Sequence, residues 1–494
     1  MVLTRRMILG GLLAGVALPA FGETMATSPR PMPRPVPRAR SSADLQPGSG
    51  GVSASEVADL IAAAKLGGEV AFVLVDGKTG EVLEARNPDL ALPPASVAKA
   101  VTSLYALEKL GAKFRFATRV LATGPVSGGV AQGDLVLVGG GDPTLQTDQL
   151  GDLVSRLAAG GLKGATGRLL YWDGALPRLK EIAGDQPVHV GYNAAISGLN
   201  LNFNRAYFEW RKADGGWHTS VDARGERFLP AVEGIEVKVD SRDAPLFTFK
   251  PGKVETWTVA SAALGKDGSR WLPVRDPGAY VAEVFRTLAR AQGIALDRAE
   301  RADRLPQGTE LGRVESEVLP EVLQDVLRFS TNLTAECVGL AASGQGNLQA
   351  SAKAMSDWVE QVFGTRFDMR DHSGLGGASR VTAAGMAKVL VQAEAQKRGL
   401  KPILRDVGLK DDKGNVIEGH PVKVLAKSGT LNFVSGLAGH IVPPSGRELV
   451  FAIFSGDPDR RDAVPVALRE EPEGASSWNK RARRLQGQLI NRWA

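Results

Sequence analysis

Pro93-Pro94-Ala95-Ser96-Val97-Ala98-Lys99 opens a run whose apolar residues keep helical spacing through Leu110. On a helix, positions i and i+3 share a face, so the Lys99 amine can lie over the Ser96 hydroxyl. An amine that is partly buried and crowded by other cations gives up its proton more readily, which suits Lys99 to accept the proton of Ser96. The helix N-terminus also turns free backbone N–H groups, and the positive end of its dipole, toward developing negative charge.

Two distant segments complete a constellation. Ser330-Thr331-Asn332 lies between helical stretches, and Lys427-Ser428-Gly429-Thr430 lies on a strand-like run. Such a strand can set the Thr430 N–H opposite that of Ser96, giving an oxyanion hole. Lys427 and the hydroxyls of Ser428 and Thr430 suit a substrate carboxylate, while Gly429 lets an acyl group come close to the strand. Each motif alone is weak. Ser477-Trp478-Asn479-Lys480 repeats the first spacing and Lys78-Thr79-Gly80 repeats the last. The former has no K-[ST]-G after it, and the latter sits in a hairpin turn ahead of any candidate nucleophile. Only the 96/330/427 set has the order serine–lysine, S-x-N, K-[ST]-G in matching helix and strand contexts.

Longer stretches carry a resemblance: Pro93–Lys99, Gly139-Gly140-Gly141-Asp142-Pro143-Thr144-Leu145, Asn332-Leu333-Thr334-Ala335-Glu336, Asp371-His372-Ser373-Gly374-Leu375 and Lys427–Gly439. Over roughly residues 55–460 the chain resembles the serine penicillin-recognising enzymes. Among them it is similar to the low-molecular-mass class C penicillin-binding proteins, the D-alanyl-D-alanine carboxypeptidase/endopeptidases. The resemblance implies an α/β (α+β) chain with a serine β-lactamase/DD-transpeptidase-like catalytic domain, and mostly-β domains inserted between Ser96 and Ser330. It implies hydrolysis of peptidoglycan stem peptides and cross-links (muropeptides) through an acyl-serine, β-lactams such as penicillins as acylating inhibitors, and no cofactor or metal. By position, Ser96 is the expected nucleophile and Lys99 its base. Ser330 passes a proton toward the leaving amine, Asn332 orients the substrate amide and Lys99, and Lys427 with Thr430 grips the terminal carboxylate. Asp142 resembles a residue that shapes the pocket for the peptide side chain; a turn former before Pro143 is the other reading. Two departures stand out: Ser428 where threonine is usual, and Gly376-Gly377 where Ser-Arg is common. The first keeps the hydroxyl. The second puts side-chain preference in doubt, but not acylation.

Working outward, Val70–Val75 and Glu81–Ala85 read as a hairpin about Asp76-Gly77-Lys78-Thr79-Gly80, after a helix capped by Ser53. Residues 116–275 are rich in glycine and short strand-like runs and read as inserted mostly-β material. The catalytic domain is then 53–115 plus 276–494. Val422–Ala426, Phe433–Ile441 and Glu448–Phe454 alternate like consecutive antiparallel strands. A last amphipathic helix carries Trp478, Ala482, Leu485, Leu489 and Trp493 on one face. Packing against the catalytic sheet is the expectation, with peripheral membrane contact through its arginines as the alternative.

Residues 1–22 read as a signal peptide of twin-arginine type, with Arg5-Arg6 before a short apolar run and small residues up to Gly22. Residues 23–52 alternate proline with arginine and small residues, an extended linker. A periplasmic, soluble mature protein is expected. The net charge of +6 invites a nucleic-acid reading but gives it little support, because residues 1–52 hold six arginines against Glu23 and Asp44 and so carry most of it; no nucleic-acid partner is expected. One Cys and five scattered His exclude an internal disulfide and a finger-type zinc site. Glu336 reads as a helix-face partner of Asn332, Cys337 as inert packing, and Asp371-His372-Ser373 as a structural loop.

Two rival functions remain. A serine β-lactamase or esterase needs a carboxylate placed to activate water, and none accompanies the motifs. A non-catalytic wall-binding protein would have no use for the full Ser96/Lys99/Ser330/Lys427 set.

Overall fold

A computed structural model describes residues 54–411 and 414–494. The expected leader, linker and Ser53 cap lie outside the described residues. Helix α1 (Ala54–Ala64) leads into strand β1 (Glu69–Asp76), whose sequence EVAFVLVD is apolar on both faces. β1 pairs antiparallel with β2 (Val82–Arg86). In the turn between them, Asp76 Oδ1 accepts the Lys78 N–H at 2.8 Å and the Thr79 N–H at 2.5 Å, as an Asx turn does. A single 3-10 turn, Ala95–Val97, then opens α2 (Ala98–Leu110).

The inserted region begins with strand Ala117–Ala122 and builds a five-stranded sheet in the order 300–301, 169–172, 135–139, 117–122, 309–315. Helix α3 (Thr147–Ala159) packs on it through Leu150, Leu153 and Val154. Three further three-stranded sheets between residues 126 and 273 complete the strands of the insert. Helix α4 (Pro277–Ala291) shares the core of α3, with Tyr280, Val281, Val284, Phe285 and Leu288 buried there. Strand Thr309–Glu315 pairs antiparallel with Ala117–Ala122. Residues 277–315 thus lie with the inserted elements, and the chain returns to the core shared with α2 near residue 316 rather than at 276. An amphipathic pattern says that α4 has an apolar face; it cannot say which of two cores that face meets.

Helices α5 (Leu319–Phe329), α6 (Asn332–Ser343), α7 (Leu348–Phe363) and α8 (Ala383–Ala395) follow. Then come β3 (Arg405–Asp406), β4 (Lys423–Leu431), β5 (Val434–Val442) and β6 (Leu449–Gly456). The short α9 (Pro458–Asp462) and the long α10 (Ala475–Trp493) end the chain. The six strands form one antiparallel sheet in the order β3-β4-β5-β6-β1-β2, so chain ends distant in sequence pair centrally, β6 on β1. Helices cover both faces. Ala71, Val73, Val75, Val450, Ala452 and Phe454 meet α2, α5, α7 and α8 on one side. Val70, Phe72, Leu74, Phe451 and Ile453 meet α1 and α10 on the other. The alternation along β1 and β6 is apolar against apolar, which is why both strands read as continuous hydrophobic runs. The apolar face of α10, led by Trp478 and Leu485, is buried against the sheet, as the packing expectation has it.

The stretch 173–204 of the insert reaches back to α6. Leu176, Ile182, Ala183 and Ile196 pack with Leu333, Cys337 and Leu340 of α6 and with Leu375. That seam runs beside the three motifs.

Candidate active site

Ser96 lies in the 3-10 turn before α2, half-buried, with the fully buried Lys99 one turn on. The turn is held from two sides by glycines. Gly374 has φ +72°, and a methyl there would run into the Ala95 carbonyl. A methyl at Gly429 on β4 would stand 2.7 Å from both Pro94 O and Ser96 N. Ala95 itself takes φ +46°, a costly conformation for alanine that the surrounding contacts must sustain. Ser330 takes φ +61° as the residue that ends α5, so it sits at the corner between α5 and α6, with Asn332 beginning the next helix.

The Lys99 Nζ joins three oxygen atoms: Ser96 Oγ at 2.8 Å, Asn332 Oδ1 at 2.8 Å and the Ser373 carbonyl at 2.7 Å. The Asn332 amide is oriented by its Nδ2, which donates to the Tyr192 carbonyl at 3.1 Å, so Oδ1 faces the amine. Ser373 and Asn332 offer only acceptors to Lys99. A neutral amine has two N–H bonds and one lone pair; with both N–H groups spent on these acceptors, the lone pair is left for the Ser96 hydroxyl proton. On the facing strand, Lys427 Nζ donates to Ser330 Oγ at 3.2 Å and to the Ser428 carbonyl at 2.6 Å. Lys427 is buried, Ser428 exposed and Thr430 half-buried.

Electrostatics follow from this burial. Lys99 is pushed down to about 7, by desolvation foremost, with Glu336 and Asp371 pulling the other way. Lys427 is held well below the usual ammonium range by burial first, then by Lys99 and Arg405. Glu336 is wholly buried and pushed up to about 8, by burial and then by Asp371. Its oxygens accept the His372 N–H at 3.0 Å and the Ser373 N–H at 2.8 Å. Burial also raises Asp371, whose two oxygens accept the Gly374 and Gly376 N–H groups at 2.7 Å each. His372 is pushed down to about 3 by burial, so it is neutral; its ring lies 2.6 Å from Ser351 Oγ.

The structure therefore gathers Ser96, Lys99, Ser330, Asn332, Lys427 and Gly429 into one cluster, with Ser428 and Thr430 continuing the strand. Asp142 is placed differently. It is 2% exposed, and its Oδ1 accepts both the N–H (2.8 Å) and the hydroxyl (2.7 Å) of Thr144. Those bonds close the turn at Pro143. Burial raises its pKa. Glu336 also departs from expectation: it binds the 372–373 backbone rather than serving only as a helix-face partner of Asn332. A lone carboxylate within the apolar run NLTAECVGLAAS was the sequence signal that could have marked it. The Ser373 and Tyr192 carbonyls carry no such signal, because any residue supplies a carbonyl. At Gly377 the space of the missing side chain is filled. A methyl there would stand 2.7 Å from Arg461 Nε, and Arg461 is itself bound to Asp185 at 2.7 Å.

Residues 53–470 match the sequence profile of the D-Ala-D-Ala carboxypeptidase 3 (S13) family. The D-alanyl-D-alanine carboxypeptidase of Actinomadura sp. (strain R39) is 28% identical over 473 residues, covering 82% of each chain. Penicillin binding protein 4 of Haemophilus influenzae superposes with a TM-score of 0.71 at 21% identity, covering 88% of this chain and 99% of that one. The same H. influenzae protein in complex with a β-lactam gives a TM-score of 0.69 at 22% identity, with the same coverage.

Proposed function

Because the chain belongs to the D-Ala-D-Ala carboxypeptidase 3 (S13) family, and is a serine-type carboxypeptidase of that family, we propose that Ser96 is the residue acylated and that peptidoglycan stem peptides are the substrate. The Lys99 amine takes the Ser96 proton as Oγ attacks the carbonyl of the penultimate D-alanine. The developing oxyanion meets the N–H groups of Ser96 and Thr430. The proton returns through Ser330 to the departing amine, the amide bond breaks, and D-alanine leaves. Water then attacks the acyl-serine with Lys99 again as base, releasing the shortened peptide and restoring the hydroxyl. Lys427, Ser428 and Thr430 hold the terminal carboxylate. Gly429 leaves room for the peptide backbone beside the strand.

The observation that supports this most is the 2.8 Å approach of Lys99 Nζ to Ser96 Oγ, with its other two neighbours both obligate acceptors. Endopeptidase cleavage of cross-links uses the same steps with a bulkier leaving amine. β-Lactams acylate Ser96 in the same reading, since a lactam carbonyl meets the same nucleophile. Fast β-lactam hydrolysis is disfavoured: Glu336 and Asp371 are the buried carboxylates near Lys99, and both are bonded to backbone N–H groups. Among the described residues no helix is long and apolar enough to cross a membrane. Periplasmic placement by a cleavable leader completes the reading.

Incubation with purified muropeptides and mass analysis of the products tests it. Release of D-alanine by wild type and its loss in Ser96→Ala are expected. An active Ser96→Ala protein, or fluorescent penicillin attached at another residue, overturns the assignment. Replacing Arg5-Arg6 by two lysines in a fusion of residues 1–25 to a reporter tests the export route.

A further inference from the structure

Lys99 draws one of its three oxygen contacts from a backbone carbonyl, that of Ser373, and a carbonyl can be held in place only through its own chain. The 371–376 loop has little regular structure to do this. Instead it is tied to buried side chains. Thr102 Oγ1, from α2, donates to the His372 carbonyl at 2.6 Å. The Asp371 carboxylate binds the Gly374 and Gly376 N–H groups within the loop. The tie from outside that bears directly on Ser373 is Glu336: its Oε1 accepts the Ser373 N–H at 2.8 Å, and its two oxygens share the His372 N–H at 3.0 and 3.2 Å. Glu336 stands one turn after Asn332 on α6. The same helix thus reaches the amine twice: directly through Asn332 Oδ1, and through the loop by way of Glu336.

We propose that Glu336 is a positioning residue for acylation: by holding the Ser373 backbone it keeps the Ser373 carbonyl on Lys99 Nζ and so aims the amine lone pair at Ser96. The proposal rests on Ser96 and Lys99 acting as assigned above, and goes beyond them to a group that touches neither substrate nor reacting atoms. A buried carboxylate in an apolar helix is costly unless its acceptors are filled. Here they are filled by the N–H groups of His372 and Ser373, the two that immediately precede the carbonyl Lys99 uses, while Asp371 holds the Gly374 N–H that follows it. The charged and titratable groups facing Lys99 are Glu336 from α6, Asp371 from the loop and Lys427 from β4. Those facing Glu336 are Asp371, the neutral His372 and the Cys337 thiol, with Lys99 beyond the Ser373 peptide. Glu336 and Asp371 both favour the charged amine, against the larger effect of burial.

Glu336→Gln tests this, because glutamine keeps the volume but turns an NH2 donor toward two N–H donors. The expected result on a D-Ala-D-Ala peptide is kcat lowered about 10- to 100-fold with KM nearly unchanged, since the carboxylate grip is untouched. Glu336→Asp, which keeps carboxylate acceptors on a shorter stem, should lose less kcat than Glu336→Gln, again with KM nearly unchanged; it also serves if the glutamine variant does not fold. Wild-type kcat in Glu336→Gln overturns the proposal, as does a rise in KM at constant kcat, or a loss of kcat as large in Glu336→Asp as in Glu336→Gln. If wild type itself releases no D-alanine, it is the assignment of Ser96 and Lys99 that fails, and the two failures are told apart by that control.

Discussion

A methyl group at Gly429 would stand 2.7 Å from the backbone nitrogen of Ser96. Strand β4 and the nucleophile's turn are therefore in contact, backbone to backbone, across more than 330 residues of chain. Val97 N would be 2.9 Å away as well. None of these neighbours is a side chain that could rotate aside. Gly429→Ala must move the strand or the turn, and overpacking of this kind costs about 1–3 kcal/mol. We expect a folded protein with a lower melting temperature and kcat/KM reduced about 100-fold or more, because small displacements at reacting atoms are amplified. Calorimetry and peptide hydrolysis check both; unaltered activity would show that the contact is dispensable.

Lys99 works as a base only when uncharged, and burial brings it down to about 7. The kcat/KM of the free enzyme should rise with pH through an acid limb near 7 and be lost below it, as the amine takes up a proton. Lys99→Arg, charged at all working pH values, should abolish acylation, and its larger charged side chain in a fully buried site should also lower the melting temperature. A pH–rate series with a D-Ala-D-Ala peptide measures the limb, and a limb at 9 or above would contradict the burial argument.

Asp142 invites a role in substrate selection from sequence, yet its carboxylate is engaged with Thr144. Asp142→Ala should cost about 1–3 kcal/mol, the price of unpairing buried polar groups, and leave KM for stem peptides unaltered. Urea unfolding alongside KM for peptides of different side chain separates the two roles. A KM that rises only for one side chain would restore Asp142 to the substrate pocket.

Arg461 is 2% exposed and donates to Asp185, which Arg469 also approaches at 3.4 Å. This pairing fastens the insert to the segment after β6. Asp185→Ala leaves a buried guanidinium without its anion and should cost about 3 kcal/mol. Since Asp185 precedes Tyr192, whose carbonyl orients Asn332, kcat should fall with stability. Thermal melts and hydrolysis on the same preparation would show whether the two losses travel together.

Much of this was legible in order. Ser96 and Lys99 three residues apart on a helix, Gly429 on a strand, the β1–β2 hairpin and the three closing strands all follow from spacing and alternation. So does the apolar face of α10. Residue 276 as the point of return was not legible, because α4 and strand Thr309–Glu315 have patterns that either core would satisfy. The hold of Glu336 on the 372–373 backbone was not legible either, since a helix-face i, i+4 pair looks alike whether that face is solvated or covered.

Periodicity is a property of neighbouring residues, so the chain alone settles which segments coil, which extend and which side chains share a face. Partners are a property of the folded whole. Only tertiary packing decided that the Ser373 and Tyr192 carbonyls, indistinguishable from any others in the chain, would aim Lys99 at Ser96 and Asn332 at Lys99. Only the filled volume about residue 377 decided that Arg461 would take the place of an absent side chain. Backbone groups carry no letter of their own, and burial depends on what closes over a face; those two facts divide what a linear chain specifies from what its folding creates.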